Sequence, residues 1–389
     1  MKTILFSSLL FIISVLSFGQ GNGWELQNSG TTKHLSTVYF SDALHGWVLS
    51  NQLILKTSNG GQTWEDEPLH GLKFTHSVFF INPSIGWIVG DSGKIIKTVD
   101  GGISWQKLQT GVLNGLGVVR FLDADTGWVA GMEGLILKTT DGGSTWQPQL
   151  SNQNVYLNKL DIIDGQNLWV AGESGIVLRS DNGGQSWMVK HNIPDSDVLG
   201  THFRDTQTGW ITIEGSVLKK TVDGGATWAI QSVTPLGWFT EIAFSNPMHG
   251  WYFGWRGGYT SDGGMSWNLI YPDYYLADIC FSDSLHGWAV GDAGTILHTT
   301  TGGVTPIHKT IVSNPSFTLY PNPAEDWVNL KSELSIQSIH VTDAVGRKVQ
   351  VSPSGLRGSG LDISAWKPGL YWLRIQTAEG TAVQQVVKK

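Results

Sequence analysis

A repeat of about 41 residues constrains this chain more than any other feature of its sequence. A tryptophan recurs seven times, and in six copies a glycine directly precedes it: Trp47, Trp87, Trp128, Trp169, Trp210, Trp251 and Trp288. Successive copies are 40 or 41 residues apart, except the last two, which are separated by 37 residues. A fixed period of this length is typical of architectures in which similar units bury their apolar faces against one another.

Each unit carries the pattern of short β-strands. Phenylalanine or isoleucine stands seven residues before each repeat tryptophan, and a mainly apolar residue stands two positions further back, as in Phe40 and Val38. This period of two indicates a strand with one face turned to a core. An Asp or Asn five residues before the tryptophan can close a turn on its own backbone. With the runs that follow, each unit holds four strands, which predicts an all-β fold, a seven-bladed β-propeller.

The two ends of the repeat predict how the ring closes. Six units contain a second tryptophan, but the last unit, which reads TTTGGVTP from Thr299 to Pro306, lacks it. The N-terminal segment supplies a similar residue, Trp24 in GWELQNSG, which matches Trp105 in SWQKLQTG. We therefore expect the N-terminal strand to pair into the last blade as its outermost strand and to remove an exposed sheet edge.

A Gly-Gly turn precedes each second tryptophan, as in TVDGGISW and TTDGGSTW. Its glycines permit a tight turn, and an Asp or Asn side chain can accept the N–H groups of the turn. We interpret these Asp and Asn residues as structural: Asn59, Asp100, Asp141, Asn182, Asp223 and Asp262.

These turns resemble the Asp-box of sialidases and other secreted propellers. Together with G-W-x-x-G and I-x-K-T-x-D-G-G, they more closely resemble the photosystem II assembly and stability factor family of plants and cyanobacteria. The resemblance spans residues 23 to 305 and implies the propeller fold, but it carries little about function.

The C-terminal segment differs in composition and lacks the Gly-Gly turns. Three segments in it, LYPNPAEDWVNL, IHVTDAVGRKVQV and LDISAWKPGLYWLRIQ, resemble the type IX secretion sorting domain of Bacteroidota. The strand-and-turn pattern predicts a small Ig-like antiparallel β-sandwich. The resemblance implies that the type IX machinery is a partner of residues 316–389, and that the protein is secreted or lies on the outer cell surface.

The N-terminus has the pattern of a secretory signal. Lys2 provides its positive charge, Ile4 to Leu16 its apolar core, and Ser17 to Gly19 a small-x-small cleavage site. This apolar run is shorter than the ~20 residues that span a bilayer, so we expect Sec export and no transmembrane segment after cleavage. The predicted domains are therefore a signal peptide at 1–19, the propeller at 20–307, a linker at 308–315 and the sorting domain at 316–389.

Composition excludes several classes of partner. A net charge of −7 without a basic stretch argues against nucleic acid. We expect a monomer with no cofactor and no metal. His45, His249 and His286 recur at one repeat position in different blades, which favours a structural role, and the single cysteine, Cys280, is read as a core residue.

The sequence offers two sets of candidate ligand-binding residues. In a propeller blade, the loop between the second and third strands shares a face with the connections between blades. Five such loops carry a carboxylate, which forms either a ring that attracts a cation or basic partner, or ordinary solvated turns: Asp91, Glu133, Glu173, Glu214 and Asp292.

The second set consists of aromatic residues that are extra to the repeat, in and around the sixth unit: Trp238, Trp255, Tyr271, Tyr274 and Tyr275. They either bind a sugar or peptide or repack a blade whose third strand is shortened, where Tyr259 replaces the usual Lys or Arg.

No residue is predicted to be catalytic. Sialidases need an arginine cluster, and the propeller has four arginines at unrelated repeat positions: Arg120, Arg179, Arg204 and Arg256. A glycoside hydrolase needs two carboxylates roughly 5–10 Å apart, and no spacing singles out such a pair. The main prediction is therefore a non-catalytic binding or scaffold module for a glycan or protein ligand; the alternative is a secreted polysaccharide-active glycoside hydrolase of the Asp-box type.

Overall fold

The computed structural model describes residues 23–50, 53–67, 74–231, 239–270, 272, 274–303, 318–331, 336–343, 348–349, 356–357, 360–377 and 380–389. The predicted signal peptide and linker, and the candidate residues Trp238 and Tyr271, lie outside these residues. The chain divides into two compact units, Met1–Thr305 and Pro306–Lys389. No helix of the described residues is long and apolar enough to cross a membrane.

The described part of the first unit forms seven four-stranded antiparallel blades, which confirms the predicted β-propeller. Its strands are β1 (Glu25–Gln27), β2 (Thr37–Phe40), β3 (Gly46–Ser50), β4 (Leu53–Thr57), β5 (Glu65–Glu67), β6 (Thr75–Phe80), β7 (Gly86–Gly90), β8 (Lys94–Thr98), β9 (Gln106–Leu108), β10 (Leu116–Phe121), β11 (Gly127–Gly131), β12 (Ile136–Thr139), β13 (Gln147–Gln149), β14 (Leu157–Ile162), β15 (Leu168–Gly172), β16 (Val177–Ser180), β17 (Met188–His191), β18 (Val198–Phe203), β19 (Gly209–Ile213), β20 (Val217–Thr221), β21 (Ala229–Ile230), β22 (Phe239–Phe244), β23 (Gly250–Gly254), β24 (Gly257–Thr260), β25 (Asn268–Ile270), β26 (Leu276–Phe281), β27 (Gly287–Gly291) and β28 (Ile296–Thr299).

Blades 1 to 6 each contain four consecutive strands, from β2–β5 to β22–β25. Blade 7 has the order β26-β27-β28-β1. Three of the loops between second and third strands contain a single 3-10 turn: Met132–Gly134, Glu173–Gly175 and Asp292–Gly294.

The ring closes as the sequence predicts. Strand β1 pairs antiparallel with β28, with Glu25 opposite His298 and Gln27 opposite Ile296. Trp24 is buried, and its ring makes an edge contact with Phe281, at 5.9 Å between ring centroids. In blade 1 the second tryptophan, Trp64, makes the same kind of contact with Phe40. Trp24 therefore takes the place of the tryptophan that the last repeat lacks.

Neighbouring blades are held together by stacked aromatic rings. In five of the described blade interfaces, the repeat tryptophan of one blade lies flat on the phenylalanine of the next, as for Trp47 on Phe80 at 3.4 Å between centroids. Trp288 of blade 7 stacks in the same way on Phe40 of blade 1, which carries the contact across the closure. All seven repeat tryptophans are buried. This repeated contact fixes the spacing of the blades.

The glycine before the repeat tryptophan makes room for the phenylalanine of its own blade. Phe121 lies opposite Gly127 across the strand pair, and a Cβ on Gly127 would lie 2.4 Å from the Phe121 ring. Blade 4, which lacks this glycine, pairs Ile162 with Leu168 instead. The exception in the repeat is thus a matched exchange, because the smaller Ile leaves space for the larger Leu.

The second unit contains two four-stranded sheets, one with the order β29-β30-β34-β33 and one with the order β32-β31-β35-β36. Their strands are β29 (Thr318–Tyr320), β30 (Trp327–Lys331), β31 (Ile336–Asp343), β32 (Lys348–Val349), β33 (Leu356–Arg357), β34 (Gly360–Asp362), β35 (Gly369–Thr377) and β36 (Gly380–Lys388). Side chains from both sheets form one buried core, which includes Val328, Leu361, Leu373 and Val386. Two antiparallel sheets over a shared core agree with the predicted small sandwich.

Replacing Trp24 by Ala tests the closure. We expect the free energy of unfolding to fall by about 3–5 kcal/mol, because a buried indole is removed from the contact between β1 and blades 6 and 7. Urea denaturation of the chain measures the change. Leu26→Ala is the matched control in the same strand, since Leu26 is exposed, and an equally small loss for both variants would contradict the closing role.

The Ile–Leu exchange in blade 4 predicts a double-mutant effect in blade 3. Gly127→Leu alone should cost about 1–3 kcal/mol or more through overpacking against Phe121. Adding Phe121→Ile to Gly127→Leu should restore at least about 1 kcal/mol of the lost free energy of unfolding, although we expect Phe121→Ile alone to be destabilising. Thermal denaturation of the four proteins measures the coupling, and simple additivity would be the contrary result.

Candidate functional site

One face of the propeller, here called the top face, carries the loops between second and third strands and the connections between blades. Backbone hydrogen bonds join these two kinds of segment. Asp91 N–H, just after β7, donates to the carbonyl of Phe74, and Gly93 N–H in the same loop donates to the carbonyl of Asn114 in the following connection. Blade 7 repeats the second bond, from Gly294 N–H to the carbonyl of Lys33. The top-face loops are thus rigidly tied to their neighbours.

The five predicted top-face carboxylates lie in these loops, and four of them are hydrogen-bonded to nearby segments. Asp91 contacts His76 Nε2 at 2.8 Å, Glu133 accepts from the Asn114 amide at 3.0 Å, and Glu173 accepts from the Tyr156 N–H at 3.0 Å. Glu214 occupies the corresponding loop of blade 5. Among the described residues, no group of three His, Cys, Asp or Glu side chains is placed to hold a metal ion. These contacts favour the interpretation as local turn residues.

The fifth carboxylate, Asp292, belongs to an aromatic cluster. Its Oδ1 lies 2.7 Å from His34 Nδ1, and the His34 ring stacks on Tyr275 with ring centroids 6.2 Å apart. Tyr275 contacts Trp255 at 5.2 Å between centroids and an interplanar angle of 49°. We call Trp255, Tyr275, His34 and Asp292 the aromatic shelf. Tyr274, which directly precedes Tyr275 in the chain, is 36% exposed.

The shelf forms where blade 6 departs from the repeat. The strand register pairs Trp251 with Tyr259, eight residues on, whereas Trp87 pairs with Lys97, ten residues on. The hairpin of β23 and β24 is therefore two residues shorter than that of β7 and β8. Two residues separate β23 from β24, whereas four separate the corresponding strands of blades 3, 4 and 7, and Trp255 stands at the tip of this short turn. The prediction of a shortened third strand is wrong: β24 has four residues, as have the third strands of blades 3, 4 and 7. Relative to blades 3, 4 and 7, the two residues that blade 6 lacks are missing from the loop between β23 and β24. Antiparallel pairing allows a hairpin loop to shorten without loss of register.

Sequence analysis placed Trp255, Tyr274, Tyr275 and Asp292 in two separate sets and missed His34. The structure brings Trp255, Tyr275 and Asp292 together, with His34 between Tyr275 and Asp292. A signal for His34 was present in the predicted closure, because a strand β1 in blade 7 makes residues 28–36 the connection from blade 7 to blade 1.

The opposite, bottom face carries the Gly-Gly turns, whose Asp and Asn side chains are used within their own turns. Asp100 accepts the Thr98 hydroxyl at 2.7 Å and both the N–H and hydroxyl of Ser104. The hydrogen bonds from Ser104 lower the pKa of Asp100 to about 2. The same pattern of a hydroxyl donor before the turn and an N–H four residues later is present at Asn59, Asp141, Asn182, Asp223 and Asp262. The side-chain oxygens of these Asp and Asn residues therefore accept hydrogen bonds within their own turns.

A second polar site lies on the propeller axis. The sequence repeat did not predict it. The first strands of the blades line a cavity of about 230 Å³. Within it, Lys159 Nζ of blade 4 lies 2.5 Å from Glu241 Oε2 of blade 6. Gly200 of blade 5 stands between them, and a Cβ there would lie 2.7 Å from Glu241. Glycine in blade 5 thus allows an ion pair between two blades that are not neighbours.

We call this axial cavity the channel. Its carboxylates also stabilise the free edges of the first strands. Asp278 of blade 7 accepts the Val38 N–H of blade 1 at 2.8 Å, and Glu241 accepts the Thr201 N–H at 3.1 Å. Asp161 accepts the Thr201 hydroxyl at 2.6 Å. First strands have no partner strand on the axis, so side chains or water must satisfy their N–H groups.

Burial shifts the ionisation of these groups. It raises the pKa of Asp161 to about 6, against the hydrogen bond from Thr201, and raises the pKa of Asp278 to about 6 with a further contribution from the Glu241 charge. Burial also opposes the charge of Lys159, but the Glu241 carboxylate and its hydrogen bond hold the pKa of Lys159 above its ordinary value. Asp161 and Asp278 therefore hold protons more tightly than exposed carboxylates do.

Asp161 predicts a pH dependence of stability. Its pKa is higher in the folded protein than in the unfolded chain, so the folded state binds the proton more tightly and the free energy of unfolding falls as pH rises from about 4 to about 6. Asp161→Asn should reduce that fall by about 1–3 kcal/mol. Urea denaturation at several pH values measures it, and identical pH profiles for the two proteins would contradict the prediction.

Comparison with solved structures supports the fold. A structure described as YCF48 bound to D1 peptide is 24% identical with a TM-score of 0.63, and covers 72% of this chain and 98% of its own. YCF48 from Cyanidioschyzon merolae is 20% identical with a TM-score of 0.61, covering 71% and 98%. The WD40 beta propeller domain of Doa1 is 12% identical with a TM-score of 0.59, covering 73% and 99%. Likeness at these identities establishes the propeller fold.

Sequence comparison identifies both parts of the chain. The family described as Photosynthesis system II assembly factor YCF48 matches residues 17–111 and 105–237, more than half of the 389 residues. The family described as Secretion system C-terminal sorting domain matches residues 318–389, which supports a secreted or cell-surface protein handled by the type IX machinery. No curated protein matches. The chain therefore belongs to the Photosynthesis system II assembly factor YCF48 family and carries a secretion system C-terminal sorting domain.

Proposed function

We propose that the protein is a secreted or cell-surface binding module, without catalysis, whose top face holds a glycan or protein ligand at the aromatic shelf. The observation that carries this proposal is the exposure of Trp255. Its side chain is 62% exposed, whereas the other described tryptophans of the propeller are buried or half-buried. An indole left in water beside a second aromatic ring is typical of a binding surface.

The alternative interpretation of the extra aromatic residues is repacking of blade 6. Tyr259 does fit that interpretation, since it stacks on Trp251 at 5.1 Å where blades 1 to 5 place a Lys or Arg. Trp255 does not, because its contact with Tyr275 leaves most of the indole uncovered. The two roles are therefore divided: Tyr259 packs the blade and Trp255 faces outward.

A glycoside hydrolase receives less support. Its two carboxylates would have to face a shared cleft, but Asp91, Glu133 and Glu173 are each hydrogen-bonded to a different segment of the top face. The axial carboxylates are engaged by Lys159, Thr201 and backbone N–H groups. These contacts favour roles in structure over roles in bond cleavage.

The relative bound to a D1 peptide supports a binding role for propellers of this family. The sorting domain argues for a different setting from photosynthesis, so D1 itself is not proposed as the ligand. We propose Sec export with removal of residues 1–19, translocation by the type IX machinery through residues 316–389, and a monomeric mature form that uses neither cofactor nor metal.

Retention of the mature full chain on glycan and protein arrays tests the proposal. Trp255→Ala and Tyr275→Ala should each lower retention of the bound ligand at least tenfold, because both remove ring surface from the shelf. Met265→Ala is the matched control, since Met265 is 80% exposed in the bottom-face turn of blade 6. Retention that is equal for all four proteins would remove the shelf as the binding site, and release of reducing ends from a polysaccharide panel would favour the hydrolase.

A further inference from the structure

We infer that the aromatic shelf is a carbohydrate site that takes an uncharged pyranose chain. This inference rests on the proposed function and specifies its ligand class. Pyranose rings present a face of C–H groups with partial positive charge, which is attracted to the negative face of an aromatic ring. Trp255 offers the largest exposed ring surface of the shelf.

The first argument is the support of the indole. Trp255 stands at the tip of a two-residue turn between β23 and β24 and contacts Tyr275, which in turn stacks on His34. The hydrogen bond from His34 to Asp292, at 2.7 Å, joins this row of rings to the loop of blade 7. A platform held from below loses little side-chain entropy when a ligand stacks on it, which increases affinity.

The second argument is the polar group beside the platform. The side chains of Asp292 and His34 are 47% and 48% exposed, so that their polar atoms remain accessible next to the rings. A carboxylate can accept two hydroxyl hydrogen bonds, and these charge-assisted bonds are stronger than neutral ones. The same negative charge disfavours uronic or sialic acids next to it, and the neighbouring cation Arg256, which follows Trp255 in the turn, already has an interaction partner. Both observations favour uncharged sugars.

The third argument concerns the other possible ligands. A peptide cannot add as a strand here, because β24 is already paired with β23 and β25, and β27 with β26 and β28. An ammonium cage needs rings that flank a gap, but Trp255 and Tyr275 are in contact with each other. A flat ring with an adjacent hydroxyl acceptor fits a sugar better than either.

Titration with defined oligosaccharides tests the inference. The mature full chain is titrated with cello-, xylo-, manno- and maltohexaose and with an oligogalacturonate, and binding is followed by calorimetry. We expect at least one uncharged hexaose to bind, Trp255→Ala to weaken it at least tenfold, and Trp255→Phe to weaken it less. Asp292→Asn should narrow the preference for uncharged over acidic chains.

Met265→Ala is the control for binding, and thermal denaturation confirms that each variant is folded. If no uncharged hexaose binds while the arrays show a protein ligand that depends on Trp255, the carbohydrate inference is wrong and the proposed function stands. If no ligand of either class depends on Trp255, both are wrong. Binding of a hexaose with equal affinity by Trp255→Ala would also overturn the site.

Discussion

The flat stacking of a buried tryptophan on the phenylalanine of the next blade is the contact on which the whole propeller depends. In Trp47–Phe80, Trp87–Phe121 and Trp288–Phe40 the ring centroids are 3.4–3.6 Å apart. Lysines reinforce it from the other side: Lys97 lies over Trp87 and donates to the carbonyl of Gly142 in the next blade. Aromatic, cationic and backbone contacts thus converge on the rings of Trp87, Trp169 and Trp210.

A scaffold so uniform makes its irregularities informative. The chain stacks the repeat tryptophan on a phenylalanine in five of the described blade interfaces, and in blade 4 it places the Ile162–Leu168 pair instead. Between blades 6 and 7, the Trp24 ring contacts both Trp251 and Phe281. Blade 6 departs in a different way, since its top-face turn is short and its tip carries an exposed indole. The first departure preserves packing, whereas the second leaves apolar surface in water, as a binding site does.

The fold was predictable from sequence because the period, the strand pattern and the missing tryptophan of the last repeat are all local features. The closure by Trp24 was predicted from the absence of a second tryptophan in the last repeat. The shortening of blade 6 was predicted for its third strand, whereas it lies in the loop before that strand. The sequence shows that residues are missing from the repeat, but only the pairing of Trp251 with Tyr259 shows where they are missing. The channel network was beyond reach for a related reason: Lys159, Gly200 and Glu241 stand at one repeat position in three blades, and their meeting depends on curvature across the ring.

The pairing of β1 with β28 gives the ring a seam whose two sides come from opposite ends of the propeller sequence. Blade 7 cannot be completed until the segment around Ile296 has joined the segment around Glu25, so the whole circle must be present before its last sheet exists. The only cysteine, Cys280, is unpaired, and in the described part of the chain the seam is held by the pairing of β1 with β28 and by packing of the Trp24 ring. A cut that removed residues 23–27 would turn β28 into an unprotected edge and convert a closed ring into an open, aggregation-prone array.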